Sequence, residues 1–382
     1  MTATMKIPFN KPHFTGREAQ YITQMAVTGR LSGNGMFTRK CHEIFETRLG
    51  FGKVLLTTSC TDALEMAALL ADIRPGDEVI MPSFTFVSTA NAFILRGARI
   101  VFADTAPDYP NIDVHALEGL ITPLTRAIAV VHYAGVACDM EVIMALAKKY
   151  NLLVIEDAAH SLDSFYKGKP LGGIGHFGTF SFHETKNIIA GEGGLLALND
   201  PAYVARGEIL WEKGTDRVAF SRGDVAKYEW QDVGSSFLPS EITAAFLLAQ
   251  LEDMKHIQDI RKDLWNRYYE RLKPLADQGF FTIPAIPGFA THNGSLFFIL
   301  ARDPGERRKL LKHLNNDGIQ AVFHYLPLHS SPYYKTRHDG RILKNTDRFA
   351  GLIIRLPFYA SLNGDEMDYV VKSITRFYLK GK

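Results

Sequence analysis

The sequence predicts an α/β protein built on a mostly parallel central sheet, with a smaller C-terminal α+β unit. Three observations carry this prediction. Short apolar runs rich in β-branched residues recur along the first two-thirds of the chain, stretches with apolar residues three and four apart lie between them, and Gly and Pro punctuate the joins. Strands buried on both faces read as continuous apolar runs, and their alternation with helices is the pattern of a sheet with helical crossovers.

In chain order, strands are predicted at residues 53–56, 78–81, 99–102, 127–131 and 152–155, and helices at 61–71, 88–96 and 140–150. Pro75-Gly76-Asp77 precedes one strand, and Arg96-Gly97-Ala98 separates a helix from the next. One long amphipathic stretch is expected from Ser240 to about Leu275, and the chain breaks at Pro284-Ala-Ile-Pro287-Gly288. Beyond it the pattern predicts extended runs at 295–300 and 320–325 and a helix at 306–315. The expected division is a large domain over residues 1–250, followed by a connecting helix and a smaller domain over 251–382.

Of the 382 residues, 46% are hydrophobic and 22% charged, the balance of an ordinary folded protein. Lys and Arg number 43 against 41 Asp and Glu, so a formal charge of +2 offers no basic field to gather nucleic acid. Three cysteines, Cys41, Cys60 and Cys138, with no C-x-x-C pair, make neither a disulfide framework nor a closed zinc site, and no metal is expected. Residues 1–10 mix polar side chains with Pro8, and nowhere do eighteen apolar residues run uninterrupted. A cytoplasmic protein without membrane contact is the expectation.

Four segments carry chemistry. In Thr179-Phe-Ser-Phe-His-Glu-Thr-Lys186-Asn187, followed by Gly191-Glu192-Gly193-Gly194, a lysine lies between a strand-like run and a glycine-rich turn. Shielded from water, such an amine loses its proton readily and forms a Schiff base with an aldehyde cofactor; in solvent it stays protonated and inert. In Val154-Ile-Glu-Asp157-Ala-Ala-His160 an acid ends an apolar strand, where α/β sheets place their ligands. Asp157 is the candidate carboxylate for a pyridine nitrogen, and a helix cap is its structural alternative. Thr57-Thr-Ser-Cys60-Thr61-Asp-Ala-Leu64 puts small hydroxyl residues at a helix start, which serves a phosphate or a simple N-cap equally well. Met81-Pro-Ser-Phe-Thr-Phe86-Val-Ser-Thr89 places aromatics just beyond a strand, with Phe86 the candidate to lie flat on a planar cofactor.

Together these segments resemble the DegT/DnrJ/StrS-type sugar aminotransferases, a branch of the fold-type-I pyridoxal phosphate enzymes. The likeness runs from Ile7-Pro-Phe-Asn10 through Gly76-Asp-Glu-Val-Ile-Met-Pro82 and Glu156-Asp-Ala-Ala-His160 to His324-Tyr-Leu-Pro-Leu-His329. Within the family, Val131-His-Tyr-Ala-Gly-Val-Ala-Cys138, Ser181-Phe-His-Glu-Thr-Lys-Asn187 and Asp232-Val-Gly-Ser-Ser236 are most similar to the dTDP-4-amino-4,6-dideoxygalactose transaminases. The resemblance implies that Lys186 is the Schiff-base lysine, Asp157 the pyridinium partner and Phe86 the ring-packing aromatic. It places Ser181, Cys60 and Thr61 at the cofactor phosphate and His160 near the cofactor hydroxyl. Ser236 is a departure, because many relatives carry an Asn there that reaches the phosphate of the neighbouring subunit, and Ser is shorter with fewer donors. Leu238, where Arg is frequent, is another.

The implied activity is transamination of a nucleotide-linked keto sugar with L-glutamate as donor. The implied conversion is dTDP-4-keto-6-deoxyglucose to dTDP-4-amino-4,6-dideoxygalactose, by a homodimer with active sites at its interface. His183, Lys227, His324 and His329 bracket the family motifs and are candidates for the sugar or nucleotide pocket. Alternatives are amination at carbon 3, a noncatalytic nucleotide-sugar sensor, and a sugar 3-dehydratase, which resembles the same scaffold but carries His in place of Lys186. An aminotransferase for free amino acids is a further rival that generally shows an Arg clamp for the substrate carboxylate, and no such Arg can be fixed from the sequence.

Overall fold

The computed structural model describes residues 5–379. Its main sheet contains β1 (Lys53–Thr57), β2 (Glu78–Pro82), β3 (Arg99–Ala103), β4 (Thr125–Val131) and β5 (Leu153–Asp157). A two-residue hairpin, β6 (Phe165–Tyr166) and β7 (Lys169–Pro170), precedes two more strands of that sheet, β8 (Phe177–Ser181) and β9 (Gly194–Leu198). The order across the sheet is β1-β9-β8-β5-β4-β2-β3. β3, β2, β4, β5 and β8 pair in parallel, and β9 runs antiparallel to both β8 and β1. The predicted strands therefore exist within a residue or two of their expected ends, and buried Val79, Ile80, Ile128, Val154 and Ile155 explain why they read as unbroken apolar runs.

Both outer strands have their free edges satisfied by side chains from distant segments. At β1, Leu56 N–H donates to His42 Nε2 at 3.0 Å, and the Trp211 indole donates to Leu56 O at 2.6 Å. At β3, the Tyr334 hydroxyl accepts from Ile100 N–H at 2.7 Å and donates to Ile100 O at 2.9 Å. Unpaired edges invite association with other chains, and buried backbone groups without partners cost stability, so these contacts close the sheet from both sides.

The stretch 240–275 departs from expectation. It forms two helices, Glu241–Glu252 and Met254–Asp277, broken at Asp253. The first is buried nearly all round, with Ala244, Ala245, Leu247, Leu248 and Ala249 covered, because it packs against helices Glu18–Thr28 and Met36–Glu43 as well as the sheet side. Its Glu241 carboxylate accepts from the amides of Gly35 (2.9 Å) and Phe37 (2.8 Å), satisfying the start of helix Met36–Glu43.

A second core forms around helix Met254–Asp277, the antiparallel pair β10 (Phe298–Leu300) and β11 (Ile353–Arg355), and helices Pro304–Asn316 and Gly364–Leu379. The extended run expected at 320–325 is not a strand; only Val322 bridges Arg355 there. The two cores exchange chain segments. Ile7 bridges Ile319 and is buried in the second core, whereas Leu328, Tyr334 and Leu343 return to the core of the main sheet. Among the described residues no helix is long and apolar enough to cross a membrane.

Candidate active site

β1, β2, β4, β5 and β8 all end at one edge of the sheet, and the loops leaving them line a cavity of about 570 Å³. This is the strand-end position where open α/β sheets hold ligands. β9 begins at the same edge because Gly194 lies opposite both Thr57 and Ser181. A Cβ at Gly194 would stand 2.4 Å from Cys60 N, so only glycine lets β9 start against the helix that follows β1.

That helix, Cys60–Leu70, is started by Ser59, whose Oγ accepts from Asp62 N–H at 3.1 Å. Thr58 and Ser59 hydroxyls in turn donate to the Asp62 carboxylate. The cap fixes the helix start and leaves the first amides, at Cys60 and Thr61, without intrahelical acceptors where they meet the cavity. Thr61 Oγ1 lies 2.8 Å from Ser88 Oγ, tying this helix to helix Val87–Ile94. Phe86 immediately precedes the latter, and the residue is 56% exposed while lining the cavity.

Asp157 is buried at the end of β5. Its Oδ2 accepts from Thr89 Oγ1 at 2.7 Å and its Oδ1 from Ala159 N–H at 3.2 Å. Burial pushes its pKa above the ordinary carboxylate value, and the Thr89 and Ala159 hydrogen bonds work against that rise. Behind it, Glu156 accepts from Gly172, Ile174 and Gly175 amides at 2.8, 2.7 and 2.5 Å. His132 Nδ1 accepts the Cys138 amide at 3.1 Å, which leaves Nε2–H to donate to Glu156 at 2.9 Å.

Lys186 sits on the loop between β8 and β9. The loop is pinned by Phe182 N–H to Gly193 O (2.8 Å), Ala190 N–H to Phe182 O (2.7 Å), and the Asn187 amide to Gln258 (2.7 Å) and Asn293 O (2.9 Å). Burial brings the Lys186 amine down to about 8, the nearby Asp157 carboxylate opposing the shift and Arg355 adding to it. Its Nζ has no hydrogen-bond partner among the described residues.

The structure thus brings Cys60, Thr61, Phe86, Asp157, His160, Ser181, His183, Lys186 and His324 to one cavity. Burial lowers the imidazole pKa of His160 and His324, whose rings lie 6.1 Å apart, so both are neutral donors and acceptors there. Three candidates are not brought to it. Lys227 is 81% exposed and pairs with Glu229 at 3.2 Å. His329 is engaged by Ser83 Oγ at 2.8 Å and lies 3.5 Å from Asp347. Ser236 is exposed and bridges Glu212 through the backbone. Sequence reasoning passed over Thr89, although it ends the motif containing Phe86, and Arg355, whose signal was a lone charge inside the apolar run Ile353-Ile-Arg-Leu-Pro357.

A phosphorylated pyridine aldehyde fits this donor set. Asp157 uses two hydrogen bonds and no ion pair within the described chain, which leaves acceptor capacity for a ring N–H. The unpartnered amine stands near it, the helix start with its hydroxyls suits a phosphate, and the open face of Phe86 suits a ring.

Residues 12–375 match the DegT/DnrJ/EryC1/StrS aminotransferase family, and the chain belongs to that family. Relatives span its whole length. SpsC of Bacillus subtilis (strain 168), a spore coat polysaccharide biosynthesis protein, is 31% identical across 98% of this chain and 97% of its own. GDP-perosamine synthase of Escherichia coli O157:H7 is 32% identical across 97% and 98%. A Streptococcus pneumoniae protein described as a sugar aminotransferase, solved in its PLP form, superposes with a TM-score of 0.88 at 25% identity over 98% of this chain and 99% of that one. The protein is a sugar aminotransferase with the fold-type-I architecture, and pyridoxal 5'-phosphate is its cofactor.

Proposed function

We propose that the protein moves the amino group of L-glutamate to the keto carbon of a nucleotide-linked 4-keto-6-deoxy sugar. The observation that carries this reading is the meeting of Lys186 and Asp157 in one cavity, with the amine brought down to about 8 by burial. Bound there, pyridoxal phosphate supplies the carbonyl that carries the amino group and the ring that takes up electrons from the reacting carbon. Asp157 accepts the ring N–H and keeps that nitrogen protonated. Ser181, Cys60 and Thr61 hold the phosphate at the helix start, and Phe86 covers one ring face. Lys186 Nζ, whose pKa of about 8 leaves a neutral fraction near neutral pH, would take the proton from the donor's Cα and pass it to the cofactor carbon, and the reverse transfer would deliver a proton to the sugar carbon in the second half-reaction. His160 meets the cofactor hydroxyl, and His183 and His324 face the substrates.

The likeness at residues 131–138, 181–187 and 232–236 favours dTDP-4-keto-6-deoxyglucose as acceptor and dTDP-4-amino-4,6-dideoxygalactose as product. A GDP-linked sugar is the second reading, favoured by the relative named GDP-perosamine synthase. The large apolar side chains exposed along one segment, Phe220, Tyr228, Trp230 and Val233, support a homodimer. The test is to incubate the holoenzyme with L-glutamate and each nucleotide sugar in turn. Formation of 2-oxoglutarate and an aminated sugar from the dTDP substrate is expected. Product from the GDP sugar alone selects the second reading, and product from neither overturns the proposal.

A further inference from the structure

Two arginines stand near the cavity, Arg261 buried and Arg355 half-buried, and they differ in one respect. Arg261 donates to Gly294 O at 3.0 Å and Ser295 O at 2.8 Å, so its charge is dispersed over carbonyls. Arg355, on β11, has no such partners. Its backbone bonds Val322 in both directions, its guanidinium lies over the Phe9 ring at 4.7 Å, and its Nε is sealed from solvent without a hydrogen bond. No carboxylate pairs with it among the described residues, and the guanidinium lines the cavity beside Ser295, His324 and Tyr325. Shielding part of a guanidinium from water without a partner is costly, so a fold that keeps one facing a cavity is complementary to an anion.

The position identifies the anion. Arg355 and Lys186 line the same cavity, and the guanidinium opposes the charging of the Lys186 amine. In an amino acid the carboxylate is attached to the same carbon as the reacting amine, so it must lie within a few ångströms of the lysine. In a nucleotide-linked sugar the diphosphate leaves from carbon 1, across the ring from a keto group at carbon 4. We propose that Arg355 binds the carboxylate of the amino donor, its guanidinium resting over Phe9 and its planar fork meeting the two oxygens. The inference rests on the glutamate-dependent reading above, and its test separates the two.

Glutarate, a dicarboxylate with no amine to react, is titrated calorimetrically into the holoenzyme, wild type against Arg355→Gln and Arg355→Lys. Binding weakened about 30- to 100-fold by Gln and partly restored by Lys is expected. In single-turnover spectra the apparent Kd for L-glutamate rises similarly, while the apparent Kd for the sugar in its reaction with the aminated enzyme changes far less. Equal glutarate affinity in wild type and Arg355→Gln, or no glutarate binding by wild type, overturns the proposal. So does a parallel loss in the sugar half-reaction, which would place Arg355 at the sugar phosphate or in the fold. Arg355-dependent glutarate binding by an enzyme that L-glutamate fails to convert upholds the carboxylate subsite and overturns glutamate as donor.

Discussion

Thr89 Oγ1 donates to Asp157 Oδ2 at 2.7 Å, and Thr85 Oγ1 lies 2.8 Å behind Thr89 Oγ1. The first turn of helix Val87–Ile94 thereby orients the carboxylate at the end of β5 and favours its ionised form. Thr89→Val keeps the shape and removes the donor. Because the lost bond stabilised the charged carboxylate, its pKa rises further, and retention of pyridoxal phosphate is lost at higher pH than in wild type by about one pH unit. Cofactor dissociation followed by absorbance across pH checks this.

Lys186 is expected to react as an amine of pKa about 8 in the apoenzyme. Labelling by an acylating reagent, read by peptide mass, should rise with pH and level off above 8. Asp157 holds the lysine pKa up, so Asp157→Asn moves that midpoint lower. A midpoint near that of an exposed lysine, about 10.4, would refute the burial argument.

His42 accepts from Leu56 N–H and is therefore neutral in the fold, burial lowering its pKa from 6.5 to about 3. Unfolded, it takes up a proton below 6.5, so the stability it contributes is present above that pH and is lost as pH falls toward 3. The expected slope is about 1.4 kcal/mol per pH unit in that window. His42→Gln should remove one proton's worth of slope in urea unfolding measured from pH 7 to 5, and an unchanged slope rules the assignment out.

Glu156 accepts three loop amides and His132. Glu156→Gln turns an acceptor into a donor facing those amides, with an expected cost of about 3 kcal/mol. The urea midpoint reports it, and cofactor affinity should fall with it because Asp157 is the adjacent residue.

Much of the sheet was legible because its signals are local. Residues 79–81 are apolar on both faces, and Pro75-Gly76-Asp77 marks where the strand begins. Helix Glu241–Glu252 was read as continuous with its neighbour, since its burial comes from helices about two hundred residues earlier in the chain, Glu18–Thr28 and Met36–Glu43. Lys227, His329 and Ser236 sit beside family motifs along the chain, but within one chain they lie outside the cavity, with Glu229, Ser83 and Glu212 as their neighbours.

By itself the sequence determined the order of strands and helices, the hydroxyl-rich helix start after β1, the acid ending β5 and the lysine before the glycine-rich turn. Each of these follows from side-chain periodicity and backbone preferences within a few residues. Tertiary structure alone decided that Thr89 serves Asp157, that Tyr334 and His42 close the sheet's edges, and that Arg355 stands uncompensated near Lys186. These are contacts between segments far apart in the chain. The pKa values that matter there come from burial, which no short stretch of sequence contains.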